Sequence, residues 1–185
     1  MEITVNFEGI DLGDPKTRPE GGIWDNYQTK IAGINFNVKP EECSQYVSTV
    51  GYCRYNTDSK EHPEAVRIED MSHRLLGFIP KDELKEYKKW AEGKTFPCVI
   101  GVHPFLAEDN RLRLDGYVTV IMAYDEEELA AQVQHYAKRY YDIGMEKAKE
   151  LQQQVEAAKK KNGSGCSTLI LAIIILGAIL QVLCK

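Results

Sequence analysis

The sequence has no glycine pattern for cradling phosphate, no H-E-x-x-H and no G-x-S-x-G, so the local signatures of nucleotide hydrolysis, zinc proteolysis and serine esterase chemistry are missing. The glycines of Glu20-Gly21-Gly22 and Asn162-Gly163 have neither Walker nor dinucleotide spacing. The cysteines Cys43, Cys53, Cys98, Cys166 and Cys184 are far apart and include no C-x-x-C pair, which argues against a zinc site; Cys53 and Cys98 read as small buried hydrophobes. The histidines His62, His73, His103 and His135 fall on separate segments and read as polar surface or edge residues, not as ligands. Met1 to Val5 lack the basic and apolar regions of a secretory signal, so the domain is expected to stay among reduced thiols. No repeat with a period of about 20 to 50 residues recurs. The expectation is a non-catalytic chain that uses no metal and no cofactor.

Hydrophobic residues make up 43% of the chain and charged residues 28%, which is enough apolar material for one folded core. Lys159, Lys160, Lys161 and Lys185 lie at the C-terminal end, so residues 1–158 hold 19 basic against 28 acidic side chains, a net of −9. Such a domain repels phosphate backbones at long range, and nucleic-acid binding would need a local basic patch.

From Thr168 to Cys184 the sequence TLILAIIILGAILQVLC runs for 17 residues without a charge. As a helix rising ~1.5 Å per residue it measures about 26 Å, just enough to cross a thin bilayer. All its faces are apolar, so the expectation is a lipid-facing transmembrane helix and not a core helix, with Leu169, Ile173, Leu176 and Leu180 among its anchor residues. Lys147, Lys149, Lys159, Lys160 and Lys161 precede the span and one lysine follows it, which places the N-terminal domain on the cytoplasmic side. The reading is a single-pass, tail-anchored membrane protein whose first partner is the lipid bilayer.

Ahead of the span, residues 125–161 read as a long helix opening on the acidic turn Asp125-Glu126-Glu127-Glu128. Leu129, Val133, Tyr136, Tyr140 and Ile143 form one apolar stripe, and Ala148, Leu151, Val155 and Ala158 form a second after a phase shift near Gly144. The first half is expected to pack on the domain and the second to stand as a solvated stalk. Residues 162–167 then form a flexible joint.

Residues 1–124 read mainly as strands: Ile3, Val5 and Phe7 alternate, and further candidates are Thr29–Val38, Tyr46–Tyr55, Glu64–Glu69, Arg74–Ile79, Thr95–His103 and Arg111–Ala123. One helix is expected over Pro80–Trp90. Many short strands and an inserted helix predict an α+β, mainly β domain built as a small, nearly closed β-barrel.

In this order the segments Ile31-Ala32-Gly33-Ile34-Asn35-Phe36, Pro63-Glu64-Ala65-Val66-Arg67-Ile68, Leu76-Gly77-Phe78-Ile79-Pro80-Lys81, Ile100-Gly101-Val102-His103-Pro104-Phe105 and Tyr117-Val118-Thr119-Val120 resemble the HIRAN domain, from Ile31 to about Tyr140. That family's modules occur in fork-remodelling DNA translocases and alone in microbes. The resemblance implies a β-barrel whose groove binds the free 3′ end of single-stranded DNA. Carried onto this chain, the implied ligand-binding positions are Asn35, Phe36, Arg54, Ser59, Glu61, His62 and Phe78. Asn35 stands where the family has a basic residue, and Ser59-Lys60-Glu61-His62 replaces its N-P-Y-D run, so Phe36 is left as the stacking face. Two functions follow as expectations: a membrane-tethered module for nucleic-acid ends, or an adaptor that recruits a cytoplasmic protein partner.

Overall fold

Six antiparallel strands make one curled, half-barrel sheet: β1 (Tyr27–Lys30), β2 (Thr49–Tyr55), β3 (Val66–Asp70), β4 (Leu75–Phe78), β5 (Phe96–Leu106) and β6 (Leu112–Val120), in the order β1-β6-β5-β2-β3-β4. This computed structural model describes residues 27–57, 59–91, 94–109, 111–123, 125–162 and 177. The expected strand at Ile3, Val5 and Phe7, the joint from Gly163 onward and the anchor residues Leu169, Ile173, Leu176 and Leu180 lie outside them. Among the described residues no helix is long and apolar enough to cross a membrane. The fold is α+β and mainly β, as its alternating segments predict.

Curling brings the two ends of the sheet together. Just after β1, Ala32 donates to the Phe78 carbonyl and accepts from the Phe78 N–H, both at 2.9 Å. This bridge satisfies polar backbone on both edges. On the inner face Cys53, Ile68, Leu76, Phe96, Cys98, Ile100 and Val118 are fully buried. Each large apolar side chain removed from water in this way contributes about 1.5–3 kcal/mol. The thiols of Cys43, Cys53 and Cys98 are free and buried, and burial pushes Cys43 up to about 12, so they behave as small hydrophobes.

The strand expected over Thr29–Val38 ends early. After Lys30 the chain turns at Gly33, whose φ of 78° is a left-handed value that suits glycine, and forms the short helix α1 (Ile34–Asn37). Asn35 explains why β6 tolerates this. Its side-chain amide donates to the Leu114 carbonyl at 2.8 Å and accepts from the Leu114 N–H at 2.7 Å, standing in for a missing strand neighbour. A 3₁₀ helix over Pro40–Gln45 follows. It is fixed to the β3–β4 turn by Arg74, whose guanidinium reaches Glu42 at 2.8 Å and the Asn37 carbonyl at 3.0 Å.

The inserted helix is shorter than expected. Pro80–Glu83 form a turn, and α2 covers Leu84–Ala91. It drives Tyr87 into the core, where Tyr27 meets it edge-on with ring centroids 5.6 Å apart.

The long helix α3 (Glu126–Asn162) begins with Asp125 Oδ1 accepting the Glu128 N–H at 2.8 Å. Its second half is not a solvated stalk. Leu129, Val133, Ala137, Tyr140, Gly144, Ala148, Leu151 and Val155 are all buried, at successive spacings of 4, 4, 3, 4, 4, 3 and 4. This is one stripe with an eleven-residue period, close to the pitch of a straight α-helix, so there is no phase shift. Gly144 is the point of closest approach: a Cβ there would lie 2.4 Å from Val47 Cγ1. Beyond it Leu151 and Val155 cover Leu106 and Leu112 at the β5–β6 hairpin.

Candidate functional site

The α3 helix shields the outer face of the sheet around β5, and the outer face of β2, β3 and β4 lies to one side of it. In antiparallel register Arg54 sits opposite Arg67, and Arg67 opposite Phe78, so these three side chains form a row across three strands on one face. Tyr52 sits opposite Glu69 in the next row. Two arginines directly across from each other repel unless a counter-charge lies between them. Glu69 supplies it.

The Glu69 carboxylate is completely buried, although it sits on the outer face. Arg54 Nε lies 2.8 Å from one oxygen and Arg67 Nε 2.8 Å from the other, with the arginine side chains 39% and 23% exposed. At both Nε atoms the N–H points away from the oxygen line, so these contacts act through charge, and Arg54 Nη2 makes the directed hydrogen bond, at 3.2 Å. His73 Nδ1 stands 3.7 Å from Glu69, and its ring stacks on Tyr52 at 5.8 Å. His73 has a φ of 61° in the β3–β4 turn, where Asp70 Oδ1 accepts the N–H groups of Ser72 and Arg74 at 2.8 and 3.0 Å. The result is a fixed pair of guanidinium groups with one positive charge in excess, bordered by aromatic rings.

The residues expected to bind ligand are only partly brought together. Arg54 and Phe78 share the row through Arg67. Asn35 is exposed and binds the Leu114 backbone through its side-chain amide. Phe36, expected on a strand, lies on α1 with 95% of its surface exposed, and α1 packs beside β4. Ser59, Glu61 and His62 fall in the β2–β3 loop, at the end of the strands where Phe78 closes β4. Ser59 Oγ accepts the His62 N–H at 3.1 Å, and His62 Nδ1 lies 3.8 Å from Glu64. Sequence reasoning missed Arg67, Glu69, Tyr52 and His73. The signal was available in the alternation of Val66 and Ile68 with Arg67 and Glu69, but its meaning depends on the register with β2.

Among the described residues no group of 3 or more histidine, cysteine or acidic side chains is placed to hold a metal ion. No protein-family model, curated protein or solved structure matches the chain.

Proposed function

We propose that this chain is a non-catalytic binding module whose β2–β4 face holds single-stranded nucleic acid, including its free end, close to a membrane. The observation that carries the reading is the Arg54–Glu69–Arg67 cluster. A fully buried carboxylate fixes two part-exposed guanidinium groups on an outer sheet face beside Phe78, with Phe36 standing out from the adjacent helix. Fixed arginines pair with phosphates, and exposed aromatic rings stack bases at about 1–3 kcal/mol each. The cluster is the local basic patch that an otherwise acidic domain requires. The HIRAN-like order of segments supports the same ligand class, and the curled sheet suits that reading. The apolar Thr168–Cys184 segment supports a tail anchor with the domain on the cytoplasmic side.

One feature favours the adaptor as a second reading: Phe36 projects almost fully exposed from a domain of net charge −9, as an anchor residue for a protein partner would.

The test is a fluorescence-anisotropy titration of the full-length chain, in mild detergent and low salt, with single-stranded DNA whose 3′ end is free or blocked. The proposal expects saturable binding that the double variant Arg54→Ala, Arg67→Ala, checked for a native melting transition, weakens about tenfold or more, with a salt slope lower by about 1.4. Absence of binding at tens of micromolar protein refutes the nucleic-acid reading and leaves the adaptor.

A further inference from the structure

A second concavity lies on the opposite side of α3, between that helix and the outer face of β1, β6 and β5. It has two lobes that share Tyr117 and Lys147, one of about 480 Å³ and one of about 280 Å³. The larger lobe is bordered by Lys30, Arg139 and Glu83, the smaller by His103, Asp115 and Glu150. None of these residues belongs to the arginine face.

The two lobes differ in charge. Lys30, Arg139 and Lys147 against Glu83 leave the larger one positive, whereas Asp115 and Glu150 make the smaller one acidic. Without a ligand the charges satisfy one another: Lys147 Nζ reaches Glu150 at 2.8 Å, Lys30 Nζ lies 3.8 Å from Asp115, and the Tyr117 hydroxyl donates to Asp115 at 2.7 Å. Arg139 has no ion pair among the described residues. At the floor of the acidic lobe stands His103, 3% exposed, with Nε2 buried and no hydrogen-bond partner. A simple anion would meet the two carboxylates, and a simple cation would meet Arg139. A molecule carrying both charges meets neither conflict.

We propose that this cleft binds a small zwitterion, with its anionic group between Lys30 and Arg139 and its ammonium group paired with Asp115 and Glu150 in the lobe that His103 lines. Lys147, shared by both lobes, exchanges its contact with Glu150 for the ligand's anion.

The experiment is calorimetric titration of the full-length chain in detergent micelles with three probes of matched length: ε-aminocaproate, caproate and hexylamine. The expected result is saturable binding of ε-aminocaproate, at least about tenfold tighter than either singly charged probe. Arg139→Ala, an exposed position that does not threaten the fold, weakens it about tenfold, and Arg111→Ala, 81% exposed on the β5–β6 hairpin and outside both lobes, leaves it unchanged. Glu150→Gln, at a half-exposed position of the acidic lobe, also weakens it. Equal affinity for the three probes, no saturable heat at about 10 mM ε-aminocaproate, or undiminished binding by Arg139→Ala each overturns the proposal.

Discussion

Acidification should destabilise this fold through His103 before most carboxylates take part. Burial pulls the imidazole from 6.5 down to about 4, while Asp115 and Lys147, opposite in sign, oppose and assist that shift. Above 6.5 the ring is neutral in both the folded and unfolded chain and has no effect on stability. As pH falls through 6.5 the unfolded chain takes up a proton that the folded chain refuses, and stability drops until the folded ring also protonates near about 4. At about 1.36 kcal/mol per pH unit the full loss is about 3 kcal/mol, or a fall of about 6–12 °C in Tm for a chain of this size. Carboxylates add their own losses at lower pH. Arg74 holds Glu42 below its usual range, so that contribution is present above 4.5 and is lost as pH falls beneath it. The difference between wild type and His103→Leu isolates the imidazole. Thermal melts from pH 7 to about 4 should show the wild type losing the extra 3 kcal/mol or so, while His103→Leu, which has no buried unpartnered nitrogen, keeps its neutral-pH stability longer. Parallel curves for the two proteins would refute the assignment of a buried, neutral His103.

Two further outcomes are expected. Gly144→Ala tests the packing of α3 by sign: in a solvated helix alanine gains about 1 kcal/mol over glycine, whereas here its Cβ meets Val47 Cγ1 at 2.4 Å and should cost about 1–3 kcal/mol in urea denaturation. Ile174→Arg places a charge near the centre of the apolar tail at a cost of about 2.5–3.5 kcal/mol and should move the protein from the membrane to the soluble fraction without changing its melting transition; a variant that still pellets with membranes shows a second anchor.

Alternation over Tyr46–Tyr55, Glu64–Glu69, Arg74–Ile79, Thr95–His103 and Arg111–Ala123 locates five of the six strands because each turns one face to the inner core, although β5, whose outer face lies under α3, is buried on both faces. The misplaced one was the segment from Thr29. Ile31 and Ile34 are both buried, which a strand cannot arrange on one face; a left-handed turn at Gly33 does, and the Asn35 amide replaces the ladder bonds that the strand gives up. The second half of the long helix departs from the expected stalk for a related reason. Ala137 and Gly144 belong to the buried stripe as much as Leu129 or Leu151 do, but small residues carry little hydrophobic signal, and without them one continuous stripe looks like two.

The arginine face shows why a site can be less legible than the strands that build it. Arg54 was visible as a basic residue, and Glu69 as an acid on an alternating strand, where the ordinary inference is exposure to solvent. The pairing of β2 with β3 reverses that inference. Register sets Arg54 against Arg67, the two like charges draw the nearest carboxylate between them, and their stems together with Tyr52 and His73 cover it until none of its surface is exposed. Glu69 is therefore the residue on which the site turns. Its burial is tolerated only because both guanidinium groups remain, since removing one partner of a buried ion cluster leaves an uncompensated charge at a cost of about 3–5 kcal/mol. The same constraint keeps the two arginines from collapsing onto separate acids elsewhere on an acidic surface. Burying one acid under two arginines leaves this face a local positive charge on a domain whose net charge is −9.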